Sequence, residues 1–142
     1  MIREYKDSDV EAVLNIWLQA SIKAHDFVDR YFWESEQENM RNVYIPASEN
    51  YVYELNARVI GFYSLHDDTL AALFVSPEHQ GQGIGTALIK HAKTKRTQLG
   101  LSVYKENQAS YGFYLSQGFS VVSEQVDQHT GHPEYSMSLK TK

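Results

Sequence analysis

The most informative segment of this sequence is Gln80-Gly81-Gln82-Gly83-Ile84-Gly85-Thr86. It follows a run typical of a β-strand, 69–75, and it precedes a helical stripe of apolar residues that begins within the segment. Glycines let backbone N–H groups approach a ligand closely, and the free N–H groups at a helix start favour a phosphate. The segment therefore predicts a pyrophosphate site.

Two familiar nucleotide motifs do not fit this segment. A P-loop has the pattern GxxxxGK[ST], and no lysine follows these glycines at that spacing. A dinucleotide-binding turn has the pattern GxGxxG, and Thr86 stands where its last glycine belongs. Such a turn also follows the first strand of a parallel sheet, whereas this one follows several antiparallel strands. A glycine-rich turn without a ligand remains the alternative.

The rest of the chain predicts a mixed α/β (α+β) sheet. The expected strands are 1–5, 51–55, 58–65, 69–75, 101–104, 119–126 and 134–140. Four helices are expected: one after residue 8, one over 31–44, one that starts at Ile84 and one over 107–117. Tight turns make the strands between 51 and 75 antiparallel, whereas the crossover from 69 to 104 makes those two strands parallel. The length predicts one domain, 1–142.

A second constellation lies on the helix expected over 107–117. Asn107, Tyr111 and Tyr114 are spaced i, i+4, i+7, so one helix face carries them together. Gly118 and Phe119 then mark the end of the helix and the start of a strand.

With both segments in place, the chain resembles the GNAT superfamily of acyl-CoA-dependent N-acetyltransferases. The motif (Q/R)-x-x-G-x-(G/A) is matched by Gln80, Gly83 and Gly85. The motif N-x-x-(small)-x-x-(F/L)-Y-x-x-x-G-F is matched by Asn107, Ser110, Phe113, Tyr114, Gly118 and Phe119. The element order agrees over nearly the whole chain. His25-Asp26-Phe27 further resembles small bacterial members that include protein-lysine acetyltransferases.

The resemblance implies a mostly antiparallel sheet of about seven strands, with about four helices on both faces. It implies acetyl-CoA as cosubstrate and direct attack by a primary amine, either a protein lysine or N-terminus or a small-molecule amine. A backbone N–H near Val75 would hold the thioester carbonyl, and Tyr114 would serve the leaving thiolate. The implied cofactor-binding residues are Leu73, Phe74, Val75, Gln80, Gly81, Gln82, Gly83, Ile84, Gly85, Thr86, Asn107, Tyr111 and Tyr114.

Two positions depart from the family pattern. Gln82 and Ser116 stand where the family often has a cation, so backbone N–H groups must carry more of the phosphate binding. A non-catalytic CoA-binding sensor or interaction module is the alternative function, although the presence of Tyr114 disfavours it.

The aromatic segment 21–45 is predicted to form part of the acceptor wall. Its candidate substrate-binding residues are His25, Phe27, Tyr31, Trp33 and Tyr44. An ammonium must lose a proton before it attacks, and the sequence leaves four candidate bases open. These are His25, Glu54, His66 and Glu78.

Composition narrows the classes of function. Lys and Arg total 13 against 18 Asp and Glu, and the net charge of −5 disfavours a nucleic-acid partner. The chain has no cysteine, no metal-ligand spacing among its six histidines, and no apolar run that could span a membrane. We therefore expect a cytoplasmic protein without a metal, a monomer or a homodimer paired through strands near the C-terminus.

Overall fold

The computed structural model describes residues 1–141, which build one seven-stranded sheet flanked by helices. The strands are β1 (Ile2–Glu4), β2 (Glu49–Leu55), β3 (Arg58–His66), β4 (Thr69–Val75), β5 (Gln98–Tyr104), β6 (Ser120–Val126) and β7 (Pro133–Lys140). Their order is β1-β2-β3-β4-β5-β7-β6, and β4 and β5 are the parallel pair. The predicted mixed, mostly antiparallel sheet is thereby confirmed.

The helices lie on both faces of this sheet, as predicted. They are α1 (Val10–Ala24), α2 (Arg30–Ser35), α3 (Gln37–Asn39), α4 (Ile84–Lys93) and α5 (Gln108–Ser116). The helix expected over 31–44 is divided into α2, α3 and a π-helical turn, Met40–Tyr44. This segment buries Trp33 and Met40 while most of its other side chains stay partly or fully exposed, which is why its amphipathic pattern is weak.

Short turns fix the antiparallel half of the sheet. Asn56 and Ala57 have φ angles of 53° and 64°, and this two-residue turn sets Leu55 opposite Arg58 in the β2–β3 hairpin. Strand β5 begins three residues before the predicted 101–104. Its first residues pair with β7, which extends the strand through a stretch whose sequence shows little alternation.

Buried side chains form two clusters, one on each sheet face. The first packs α4 and α5 onto the sheet and includes Tyr63, Leu88, Ile89, Leu99 and Met137. The second packs α1 and α2 onto the opposite face and includes Val13, Trp17, Trp33, Val52 and Phe62. The site described below lies where these two layers approach each other through the sheet.

That approach is possible because β4 and β5 diverge. Their ladder contains a single paired position, Thr69 opposite Gly100, and the Gly100 N–H donates to the Asp68 carbonyl at 2.9 Å. Toward Val75 the two strands are no longer paired. The sheet therefore has a wedge-shaped gap in its centre, flanked by β4 on one side and β5 on the other.

The outer edge at β6 carries exposed apolar side chains. Val121, Val122 and Val126 are between 41% and 65% exposed, and β6 has a neighbour on one side within residues 1–141. A monomer or a homodimer paired along this edge stays a prediction.

Two glycines provide a test of this packing. A Cβ added at Gly61 in β3 would lie 3.2 Å from the Phe74 carbonyl oxygen and 3.3 Å from side-chain atoms of Ile84 and Leu88. We expect Gly61→Ala to lower the free energy of unfolding by about 1–3 kcal/mol, since a close-packed layer resists added volume. Urea denaturation measures the change.

Gly112 supplies the matched control. It lies in α5 with no heavy atom within 4 Å of an added Cβ, so Gly112→Ala should stabilise the protein by up to about 1 kcal/mol through helix propensity. Equal stability changes at the two positions would contradict close packing around Gly61.

Candidate active site

The glycine-rich turn forms an open cradle at the start of α4. Gly81 and Gly83 both have φ = +82°, and no heavy atom lies within 4 Å of a Cβ added at either position. Gly83 is the N-cap of α4, and its carbonyl accepts the first helical bond from Ala87 at 3.1 Å. The N–H groups at this helix start have no intrahelical partner and are available to an anion. The local geometry fits a pyrophosphate.

This cradle opens into a cavity of about 670 Å³, here called the glycine-turn cavity. It lies between the C-terminal part of α1, the end of β4 and the N-terminal part of α5. Its lining includes Lys23, Val75, Gln80, Gly81, Gly83, Ile84, Gly85, Thr86, Asn107, Ser110, Phe113 and Tyr114.

A second cavity of about 640 Å³, here called the aromatic cavity, lies on the opposite side of the sheet gap. Helix α1, the segment from α2 to the π-helical turn, and strands β4, β5 and β7 supply its walls. Its lining includes Trp17, His25, Trp33, Tyr44, His66, Phe74, Ser102, Tyr104, Asn107, Tyr114 and Glu134.

The two cavities meet at the gap between β4 and β5. Both are lined by Leu73, Phe74, Asn107, Ser110 and Tyr114. A long ligand held at the glycine turn can therefore present one end to a second molecule in the aromatic cavity. This arrangement suits the transfer of a group between two substrates that are bound together.

The backbone of β4 contributes a donor at this junction. The Ser76 N–H donates to the Ile60 carbonyl at 2.8 Å, so it points toward β3. Successive N–H groups of a strand point to opposite edges, and the N–H of Val75 therefore points toward β5, into the gap. The Val75 carbonyl accepts a 3.1 Å bond from Gln80 Nε2. A donor aimed into an unpaired gap is suited to bind a carbonyl oxygen.

Tyr114 projects from α5 to the same junction. Its ring packs edge-on against Phe113 and Phe119, with centroids 5.3 Å and 5.6 Å away, and these contacts fix its direction. The hydroxyl forms no hydrogen bond to any part of residues 1–141. Burial raises the pKa of Tyr114 above its ordinary value of 10, so the hydroxyl stays protonated at neutral pH. It can donate a proton or a hydrogen bond to a ligand.

Asn107 links α5 to the C-terminal end of α1. Its side-chain oxygen accepts from the Ser110 N–H at 3.2 Å, which caps α5, and its Nδ2 donates to His25 Nε2 at 3.1 Å. His25 therefore carries its proton on Nδ1, which is buried without a partner in the described chain. Burial lowers the pKa of His25 to about 4, so the ring is neutral at pH 7. These features make His25 a donor rather than a base.

Not every residue predicted for the site lies in it. Gln82 is exposed beside the glycine-turn cavity, and Tyr111 packs on Tyr135 with centroids 4.9 Å apart instead of lining either cavity. Tyr31 is 72% exposed and outside the aromatic cavity. Phe27 packs against the rings of His25 and Tyr104 behind the cavity wall. His25, Trp33 and Tyr44 do line the aromatic cavity.

Sequence reasoning missed several lining residues. Phe113 lies 3.5 Å from a Cβ added at Gly85 and so packs beside the glycine turn. Tyr104 and Glu134 lie directly opposite each other on β5 and β7, and both line the aromatic cavity. The side chain of Tyr104 also donates a hydrogen bond to Asp127 in the β6–β7 turn. Period-two alternation marked both strands, but it does not say which face holds a site.

The two joined cavities suit a transferase whose donor and acceptor are bound together. The family model described as "Acetyltransferase (GNAT) domain" matches residues 46–121, which is more than half of the chain. The chain belongs to the GNAT acetyltransferase family.

Individual relatives agree with this assignment. The chain is 34% identical to peptidyl-lysine N-acetyltransferase YiaC of Escherichia coli (strain K12), over 97% of this chain and 95% of that protein. The solution structure of apo-form YjaB from Escherichia coli superposes with a TM-score of 0.85 at 26% identity, covering 97% and 95% of the two chains. A PaiA N-acetyltransferase from Thermoplasma acidophilum, solved with coenzyme A, shares the fold with a TM-score of 0.80 at 20% identity, covering 99% and 98%.

These findings confirm the predicted activity. As a member of the GNAT acetyltransferase family, the protein is an N-acetyltransferase with acetyl-CoA as its acetyl donor. Among residues 1–141, no helix combines the length and apolarity needed to cross a membrane. The same residues contain no group of three or more His, Asp or Glu side chains placed to hold a metal ion.

The open cradle yields a test of cofactor placement. Gly83→Asp adds a carboxylate where the helix start favours a phosphate, so the dissociation constant for coenzyme A should rise by about tenfold or more. Isothermal calorimetry measures it.

Gly131 in the β6–β7 turn provides the control for that experiment. It also has positive φ (76°) and open space around an added Cβ, so Gly131→Asp carries the same backbone strain and the same charge. It should leave coenzyme A affinity unchanged. If a folded Gly83→Asp variant bound coenzyme A like the unaltered protein, the phosphates would lie elsewhere.

Proposed function

We propose that the protein transfers the acetyl group of acetyl-CoA to the ε-amine of a lysine in another protein, by direct attack in a ternary complex. The observation that carries this proposal is that the two cavities meet at Phe74 and Tyr114, with Val75 next to Phe74 in the lining of the glycine-turn cavity. The acyl donor occupies the glycine-turn cavity, and the acceptor lysine enters through the aromatic cavity. The relatives YiaC and YjaB are both peptidyl-lysine N-acetyltransferases, which supports this choice of acceptor over a polyamine or a drug.

The chemistry follows from the groups at the junction. The amine nitrogen forms a bond to the thioester carbonyl carbon, and the carbon–sulfur bond breaks. The Val75 N–H binds the carbonyl oxygen, whose negative charge grows in the transition state. The departing sulfur takes a proton, or a strong hydrogen bond, from the Tyr114 hydroxyl. The ammonium loses one proton to a base before the attack, and the nitrogen loses a second proton once it is bonded to carbon. A Tyr114 that gives its proton to sulfur regains one from this released proton or from solvent.

The acidity of Tyr114 limits its part in this step. An ordinary tyrosine has a pKa near 10, against about 8.5 for a thiol, so full proton transfer is uphill by about 2 kcal/mol. Burial raises the pKa of Tyr114 further. The same burial raises the pKa of the coenzyme A thiol beside it, because the thiolate and the tyrosinate both lose hydration. The hydroxyl is therefore placed to stabilise the leaving sulfur as charge develops.

The aromatic cavity suits a lysine side chain. The rings of Trp33, Phe74 and Tyr104 offer apolar walls for the methylene stem, and aromatic faces attract an ammonium. Glu134 is the one carboxylate among the lining residues in the described chain. Gln125 Nε2 donates to it at 2.9 Å and to Ser136 Oγ at 2.9 Å, which holds the carboxylate in the wall. Glu134 would draw the ammonium into the cavity.

The positions of the candidate bases favour some of them over others as the group that accepts the proton of the ammonium. His25 is a neutral donor, and Glu54 is paired with Arg3 at 2.6 Å on the outer strands. Glu78 lines neither cavity, whereas His66 and Glu134 both line the aromatic cavity. Under this proposal one of these two accepts the proton of the ammonium, directly or through water. The predicted cytoplasmic location agrees with a reaction on cellular proteins.

Tyr114→Phe tests the leaving-group role. It retains the ring and removes the hydroxyl, so the single-turnover rate should fall by roughly 10²–10⁴-fold while the dissociation constant for coenzyme A stays nearly constant. Rapid-quench measurement with a lysine peptide separates chemistry from product release.

Tyr111→Phe is the control for this variant. Tyr111 lies on the same helix and packs on Tyr135 outside both cavities, so its hydroxyl should not affect the rate. A Tyr114→Phe variant with unaltered single-turnover rates would exclude the hydroxyl as the donor to sulfur. Loss of coenzyme A binding would instead show that the hydroxyl contributes to cofactor affinity.

Glu134→Gln tests recognition of the cationic acceptor. Removing the charge while keeping the shape should raise KM for a lysine peptide by roughly threefold to tenfold, with a smaller effect on kcat if Glu134 attracts the amine and His66 takes the proton. A large loss of kcat with a shifted pH profile would make Glu134 the base. Glu124→Gln, on the neighbouring strand and paired with Lys105 at 3.3 Å, is the control. Equal KM values for both variants would remove Glu134 from acceptor recognition.

A further inference from the structure

The glycine turn lacks the cations that its family often places near the phosphates. Gln82 and Ser116 occupy those positions, so the sequence alone leaves the two negative charges of a pyrophosphate to backbone N–H groups. The structure brings a cation from another element. Lys23 is the one lysine or arginine that lines the glycine-turn cavity within residues 1–141.

Lys23 lies in the last turn of α1, 57 residues before the glycine turn. Its Nζ donates to Gln80 Oε1 at 3.1 Å. The orientation of the Gln80 amide is fixed at its other end, since Nε2 donates to the Val75 carbonyl at 3.1 Å. The ammonium is thereby held at the first residue of the glycine turn by a side chain that is itself anchored to β4.

The charge of Lys23 is not neutralised by this contact. Gln80 is an uncharged partner, and no carboxylate of the described chain lies within 4.0 Å of the ammonium. The start of α4 adds a partial positive charge to the same cavity. Two positive centres facing one cavity repel each other unless an anion lies between them. The carboxylates of Asp26 and Glu106 also line this cavity, but neither pairs with Lys23, and Glu106 is paired with His132 at 2.9 Å. The unpaired positive charge therefore lies at the glycine turn, where it is complementary to a phosphate anion.

We propose that Lys23 is a coenzyme A-binding residue, whose ammonium pairs with the pyrophosphate and supplies the cation missing at Gln82 and Ser116. The inference depends on the placement of the acetyl donor in the glycine-turn cavity under the proposed function. Gln80 acts as its positioning residue, because it holds Nζ beside the turn when no ligand is bound. Helix α1 and its C-cap thus contribute to both cavities, with Lys23 in one and the C-cap residue His25 in the other.

The test is the affinity of the purified protein for coenzyme A and for dephospho-coenzyme A, measured by calorimetry at two salt concentrations. Lys23→Gln should raise the dissociation constants of both ligands by about tenfold or more, as expected for loss of one charge-assisted contact, and should weaken their salt dependence. Lys23→Arg should restore most of the affinity. A loss seen with coenzyme A but absent with dephospho-coenzyme A would place Lys23 on the 3′-phosphate and overturn the proposal.

Lys6→Gln is the matched control. Lys6 lies before the N-terminal end of α1, roughly 25 Å from Lys23 by the helical rise. The Lys6→Gln substitution removes the same charge from the protein. Equal losses in Lys23→Gln and Lys6→Gln would show a general effect of net charge and would reject a direct contact. None of these titrations requires an acceptor. A failure of lysine-peptide acetylation would therefore contradict the proposed acceptor and leave the result on Lys23 intact.

Discussion

The loss of pairing between β4 and β5 is the constraint on which the rest of the structure depends. The two parallel strands share the single paired position Thr69–Gly100 and then separate. An unpaired strand edge inside a protein has N–H groups that must find another partner. Here that edge faces two cavities, so the unpaired groups of β4 become available to ligands. The site exists because the sheet is incomplete at its centre.

Side chains from both layers converge on this gap and keep it open. Tyr114 reaches it from α5, and Asn107 joins the start of α5 to His25 at the end of α1. The Asn107 side chain caps one helix and bonds to another, so the two walls of the junction are connected by one residue. The sheet, the helix cap and the aromatic packing together therefore determine the geometry of the junction between the two cavities. Asn107 therefore has a structural role, as the cap of α5, and also lies at the junction of the two cavities.

The sequence predicted the fold well because its local signals were strong. The Asn56-Ala57 turn, the glycines before α4 and the motif around Tyr114 each depend on neighbouring residues alone, and the structure contains all three elements. The segment 31–44 was harder, since its breaks and π-helical turn follow from how Trp33 and Met40 pack against α1 and the sheet. Local periodicity does not contain that information.

The site was predicted in part, for a related reason. Contacts between residues far apart in the chain, such as Lys23 with Gln80 and Tyr104 with Asp127, leave no spacing pattern in one sequence. Helical spacing placed Tyr111 beside Tyr114 on one face, but Tyr135 covers Tyr111 and withdraws it from the cavities. The predicted residues that remain at the junction are those whose position follows from the strand–turn–helix geometry itself.

The two cavities differ in the kind of backbone that encloses them, and this difference bears on how such proteins diverge. The glycine turn joins a central strand directly to a helix, where Gly81 and Gly83 adopt angles that few other residues tolerate. The outer wall of the aromatic cavity comes from the segment after α1, which lies outside the sheet, and from Glu134 at the start of β7, directly after the β6–β7 turn. Peripheral segments accept substitutions and insertions more readily than a strand–helix junction does. Under the proposed placement of donor and acceptor, the molecule that receives the acetyl group can change over evolutionary time within one inherited framework, while binding of the donor stays the same.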